Sequence, residues 1–192
     1  MHYSNLVIVK RKGEDVPEPF DLERAVEEAM GPHEDSGGFW DWYQIGGRWT
    51  GTFDGYEPDK DPANQKPCEW CNATGHRTDS VGMANPELQA KCNGCNGTGI
   101  KTEWPTQWAK HPGDVIPVDQ LTEDHLKKFY RIVLPDGYGA HAHERYVPWA
   151  ESGKAFQEQE MPPLAWIKLK FGAKPEYEPD AEYVAVVVDN HC

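Results

Sequence analysis

Two Cys-x-x-Cys pairs, Cys68-x-x-Cys71 and Cys92-x-x-Cys95, carry the clearest chemistry in this chain. Four thiolates at this spacing can close around one tetrahedral ion, which makes the set a metal-site pattern. Each pair is followed by small residues, with Gly75 after the first and Gly97 and Gly99 after the second, so the backbone can fold back toward the sulfurs. A Zn²⁺ ion held by four thiolates leaves the centre doubly negative. Lys66, His76, Arg77, Lys91 and Lys101 stand where they can offset that charge. The alternative is a pair of disulfides, which needs an oxidising compartment that nothing in the sequence supplies.

A second group of chemically capable residues lies toward the end of the chain. Alternation along an expected strand places His141 and His143 on one face, and Asp189 and His191 share the same spacing on a final strand. Were those strands neighbours, three imidazoles and a carboxylate would converge, enough to ligate a second metal or to share acid–base work. The competing reading makes them half-exposed strand residues with satisfied hydrogen bonds. Arg48, bracketed by Trp42 and Trp49, either clamps an anionic ligand or pairs with Asp41 or Asp54. Cys192 is a fifth cysteine with no partner in the pattern, read as a passive thiol.

The run Cys92-Asn93-Gly94-Cys95-Asn96-Gly97-Thr98-Gly99 contains Cys-x-x-Cys-x-Gly-x-Gly in full. It resembles the repeat of the cysteine-rich zinc domain of DnaJ-type chaperones. The first pair has Ala73 in place of the inner glycine, and there are two repeats rather than four. The resemblance therefore implies one zinc per chain, bound by Cys68, Cys71, Cys92 and Cys95. It does not extend to a J-domain, because the nearest string to His-Pro-Asp is the interrupted His111-Pro112-Gly113-Asp114. The string DWYQIGGRWTG, Asp41 to Gly51, together with the closing Asp189-Asn190-His191, is similar to motifs of small bacteriophage-encoded proteins. That likeness implies a phage origin and brings no activity with it.

The elements that must position these residues follow from pattern. Tyr3 to Arg11 is a β-branched, apolar run and predicts a strand. Asp21 caps a helix whose Leu22, Ala25, Val26, Ala29 and Met30 share one face, and Gly31-Pro32 ends it. Phe39 to Ile45 and Arg48 to Phe53 read as aromatic strands joined in a hairpin by Gly46-Gly47. Thr122 caps a second helix with Glu123 and Asp124 in its first turn. Arg131 to Leu134, Tyr138 to Tyr146, Leu164 to Phe171 and Glu182 to Asp189 complete the strands. The class expected is α+β, with a largely antiparallel sheet and short packed helices. Pro-rich polar stretches on both sides of the cysteines divide the chain into a discontinuous host domain, 1–64 and 102–192, and an inserted zinc module, 65–101.

Charge and hydropathy limit the functions open to such a chain. The net charge is −13 over 192 residues. Fourteen Asp and Glu stand against three Lys and Arg between Gly13 and Asn64, which disfavours a general nucleic-acid binder. The longest apolar run, Tyr183 to Val188, is far short of the roughly 18 residues a membrane span needs, and the first residues lack a leader pattern. The expected place is the cytoplasm, the host's if the chain is phage-encoded.

The leading expectation is a zinc-binding accessory protein that contacts another macromolecule, a host protein foremost. An enzyme using His141, His143, Asp189 and His191 is the first alternative, although no nucleophile elbow, phosphate loop or His-Glu-x-x-His string supports it. Single-stranded nucleic-acid contact through the zinc module, with Trp70 stacking and Lys91 pairing phosphate, is the second.

Overall fold

A computed structural model of the chain describes residues 1–33, 40–84, 90–103, 111–135, 139–141, 162–173, 175 and 178–191. The chain divides into two compact units. One comprises residues 1–56 and 106–192, the other residues 57–105.

The first unit is an α+β fold built on a mostly antiparallel sheet. Its strands are β1 (His2–Lys12), β2 (Trp42–Ile45), β5 (Val115–Pro117), β6 (Arg131–Val133), β7 (Gly139–His141) and β8 (Glu182–His191). The order is β2-β8-β1-β6-β7, with β5 sharing an edge of β8 with β2. β1 and β8 pair antiparallel over almost their whole lengths, from His2↔His191 to Lys12↔Glu182. β1 and β6 are parallel, the exception among the described strand pairs.

Why these runs become central strands is visible in their composition. Leu6 to Val9 and Val184 to Val188 are continuous β-branched and aliphatic runs, and every one of those residues is buried, as strands covered on both faces require. Side-chain alternation then sorts them into two layers. Leu6, Ile8, Ile132, Ala185 and Val187 pack with Leu121, Leu126, Phe129, Trp166 and Ile167. Val7, Val9, Val133, Val184, Val186 and Val188 pack with Val26, Ala29 and Met30 on the other side. The second layer is supplied by α1 (Leu22–Met30), capped by Asp21, whose side chain accepts from the Arg24 N–H at 3.2 Å. The first layer is covered by α3 (Glu123–Leu126), capped by Thr122, and α4 (Pro163–Phe171).

Two expectations fail here for identifiable reasons. Gly46 and Gly47 do take positive φ, 73° and 57°, but they do not close a hairpin. Residues Gly47–Trp49 coil into a single 3-10 turn, and β2 pairs with β8 instead, Trp42↔His191 through Ile45↔Val188. A long, buried strand is a better partner than the short Arg48 to Phe53 segment, so a distant pairing displaces the local one. Leu164 to Phe171 is helical, not extended. Pro163 at the first helical position and Gly172 at the end were the signals for this, and the apolar alternation that suggested a strand serves a helix that buries Trp166 and Ile167.

The second unit is held by little regular structure. A two-stranded ribbon of β3 (Gln65–Pro67) and β4 (Ile100–Thr102) pairs Gln65↔Thr102 and Pro67↔Ile100. Its described residues also include 3-10 turns at Pro58–Lys60, Pro62–Asn64 and Glu69–Cys71, a short helix, α2 (Ser80–Ala84), and an isolated bridge between His76 and Lys91. Its buried cluster consists of Cys68, Cys71, Cys92 and Cys95. Among the described residues of the chain, no helix is long and apolar enough to cross a membrane.

Candidate metal centre

The two cysteine knuckles fold alike because their sequences are alike. In each, the residue after the second cysteine enters the left-handed region, Asn72 at φ 49° and Asn96 at φ 48°, and the next follows, Ala73 at 61° and Gly97 at 86°. Thr74 and Thr98 then donate their hydroxyls to the carbonyls of Cys71 and Cys95, both at 2.7 Å. These turns point N–H groups at sulfur. Gly75 donates to Cys71 Sγ at 3.3 Å and Gly99 to Cys95 Sγ at 3.2 Å.

The halves also lock each other. Cys68 N–H donates to the Gly99 carbonyl at 2.9 Å, and Cys92 N–H donates to the Gly75 carbonyl at 2.8 Å. The last glycine of each knuckle lies against the backbone of the other. A Cβ on Gly99 would meet the Ala73 carbonyl oxygen at 2.3 Å, and one on Gly75 would meet that of Gly97 at 2.4 Å. Both glycines are therefore required by close approach as well as by φ.

All four cysteines are free thiols, all are buried, and their sulfurs lie within 4.8 Å of one another. Cys68 and Cys92 sulfurs are 3.9 Å apart, and those of Cys71 and Cys95 are 3.7 Å apart. A disulfide would need about 2.05 Å. Four sulfurs placed tetrahedrally at about 2.3 Å from one ion have edges of roughly 3.8 Å, which is the spacing of these two pairs. The donor set therefore fits one tetrahedral, thiophilic ion and completes its coordination without an outside ligand.

The thiols differ in their readiness to ionise. Burial pushes the Cys68 thiol up to about 11. Cys95 feels burial too, but N–H groups of Gly99 and Gly97 pointing at its sulfur bring it down to about 7. A cation among the four sulfurs would favour the thiolate at each of them.

Around the centre, three of the five expected counter-charges have other partners. Lys66 pairs with Glu103 at 3.0 Å, Arg77 pairs with Asp79, and Lys101 Nζ stands 5.5 Å from the centre of the Trp70 ring. Trp70 is two-thirds exposed, with its indole against Gly94, where an added Cβ would come within 2.8 Å of the ring.

The expected histidine cluster does not assemble as the spacing suggested. β1 and β6 stand between β8 and β7, so His141 is three strand spacings, roughly 14 Å, from the strand bearing Asp189 and His191. Its register position is level with Arg131, Asn5 and Val188, one residue out of phase with Asp189 and His191. The parallel β1–β6 pairing interposes those strands, and no local pattern announced it. His143 and Cys192 lie outside the described residues.

Asp189 and His191 instead meet residues from the first part of the chain. Asp189 is buried, and its carboxylate accepts from the Arg48 backbone N–H at 3.1 Å and lies 2.9 Å from His2 Nδ1. His191 Nδ1 lies 2.9 Å from Asp41 Oδ1, and this contact holds the Asp41 carboxyl below its ordinary range. Arg48 thus enters this cluster through its backbone, while its side chain is exposed. Gly47 is pressed against the same aspartate, since an added Cβ would sit 2.5 Å from that of Asp189. His2 was missed by sequence reasoning. The signal available was the strand beginning beside it, which can pair end to end with the closing strand and carry His2 to His191.

Compared with known proteins, the chain matches no family model, no curated protein and no solved structure.

Proposed function

We propose that the chain is a zinc-binding accessory protein, phage-encoded, that acts by contact with another macromolecule, a protein before a nucleic acid. The observation that supports this most is the closed set of four buried sulfurs. A catalytic zinc keeps an open position for water or substrate, whereas four protein ligands serve structure. Zinc is the ion best suited to four thiolates in a reducing compartment. In this reading the ion holds the second unit in one shape, and that shape presents Trp70 and Ile100, both exposed, as apolar anchors for a partner. Residues 57–105 carry seven acidic side chains against five Lys and Arg, and the zinc–thiolate centre adds further negative charge. That balance favours a protein surface over phosphate.

Two measurements test the proposal. Elemental analysis of protein purified under reducing conditions should give one zinc per chain, lost when Cys71 is replaced by serine. A photo-reactive amino acid at position 70, expressed in the host cell, should yield one dominant protein adduct that is absent when the probe stands at Glu182. A nucleic-acid adduct would favour the second reading, and equal labelling from both positions would refute a docking role for Trp70.

A further inference from the structure

Outside the cysteine centre, three strands bring three aromatic rings into one row at the end of the sheet. His2 of β1 and Trp42 of β2 are both register partners of His191 on β8. The row behind them, Ser4, Asp189 and Gln44, is buried. Each imidazole gives its Nδ1 to a carboxylate, His2 to Asp189 and His191 to Asp41, each at 2.9 Å. A carboxylate on Nδ1 holds the proton there and leaves Nε2 with its lone pair, which is the arrangement behind metal-bound histidines. The His2 and His191 ring centres are 5.1 Å apart. Two imidazoles sharing one tetrahedral ion through bonds of about 2.0–2.1 Å have centres roughly 5 Å apart.

The geometry points to a second metal site, in which Nε2 of His2 and Nε2 of His191 take up one divalent transition-metal ion of the zinc, cobalt or nickel class, with water in the remaining positions. Two carboxylates behind the imidazoles supply the negative charge that a dication needs, and nitrogen donors select this class over calcium or magnesium. Among the described residues, the four cysteines are the one group of three or more His, Cys, Asp or Glu with ligand atoms mutually within 4.8 Å. The histidine site therefore rests on two side-chain ligands, binds more weakly than the cysteine centre, and keeps open positions. Rigidity compensates in part, because the Asp189 carboxylate that orients His2 is itself fixed by the Arg48 N–H and covered by Gly47.

The test uses the full, untagged chain already holding one zinc in its cysteine centre, titrated with Zn²⁺ by calorimetry. A second, weaker equivalent is expected. His2→Gln and His191→Gln should each weaken it at least about tenfold, and the double variant should abolish it while the first equivalent stays. Asp189→Asn should weaken it by about 10- to 100-fold through the loss of the carboxylate behind His2. Nitrogen-detected imidazole NMR on the unaltered chain gives a readout that needs no variant. Added Zn²⁺ should shift Nε2 of His2 and His191, with Nδ1 still protonated. Absence of a second equivalent, its survival in the double variant, or unmoved Nε2 signals would overturn the site.

Discussion

Ala73 and Gly97 occupy equivalent positions in the two knuckles, so exchanging their identities measures what left-handed backbone costs the metal centre. Ala73 sits at φ 61°, where an L side chain costs about 1–2 kcal/mol. Ala73→Gly removes that cost but frees the unfolded chain, which takes back about 0.4–1 kcal/mol. The net expected gain is about 0.5–1 kcal/mol. With the proposed zinc held by the four cysteines that form the module's buried cluster, ion binding and folding are coupled, so the gain would be read as zinc affinity raised about two- to fivefold. Gly97→Ala is the inverse. Its Cβ would meet Lys91 Cγ at 2.9 Å and Lys91 Cβ at 3.1 Å, the root of that side chain rather than its free end, so overpacking adds to the backbone strain and the loss should exceed about 1 kcal/mol. Competition for zinc against a chromophoric chelator, under reducing conditions at one pH, reads both. If the two variants shift affinity in the same direction, or Ala73→Gly weakens binding, the strain at this position is not what separates the knuckles.

Other expectations bear on the first unit. Gly47→Ala should destabilise it by about 2–4 kcal/mol, from left-handed strain plus overpacking against Asp189; a change in urea-denaturation free energy below about 0.5 kcal/mol would contradict the tight packing. Asp114 is buried between the Gly51 N–H and the Thr50 hydroxyl, and burial raises its pKa above 3.8. The folded state therefore keeps a proton that the unfolded chain releases, and stability from this residue falls as pH rises from 3.8 through the raised value. The denaturation free energy of the native chain minus that of Asp114→Asn should decline across that window, and a difference that is flat or rises would count against it. Replacing residues 57–105 by a short Gly/Ser linker should leave a cooperative calorimetric transition, because closure cost grows slowly with loop length; a molten or insoluble product would refute the independence of the first unit.

What the sequence disclosed were interactions whose partners lie near in the chain. The clustering of the four cysteines was legible because each knuckle is one short turn with its own glycines, and α1 was legible because Asp21 and the spacing of Val26, Ala29 and Met30 are local. The α+β class followed from the same signals. Gly46-Gly47 marked a tight turn correctly, yet the residue that shapes it, Asp189, is far along the chain. The pairing of β2 with β8 was invisible for the same reason. Strand order decided the histidines. His141 sits on a strand paired to β6, and only the parallel β1–β6 contact reveals that it lies away from His191, while His2 lies beside it.

The position of β8 in the sheet has a consequence for how the chain reaches its native state. One edge of β8 is taken by β1 and the other is divided between β2 and β5, yet β8 follows all of them in the order of synthesis. Until Glu182 to His191 emerges from the ribosome, β2 and β5 have no strand to pair with among the described residues, and β1 has β6 along one side only. The pairing of His2 with His191 joins residues 189 positions apart, and contacts of such sequence separation slow folding. In that interval, the apolar run Leu6 to Val9 presents an open edge, the kind that pairs with other chains. A nascent chain halted before β8 is therefore a candidate for chaperone capture, and the rate at which the last strand docks sets how long that exposure lasts.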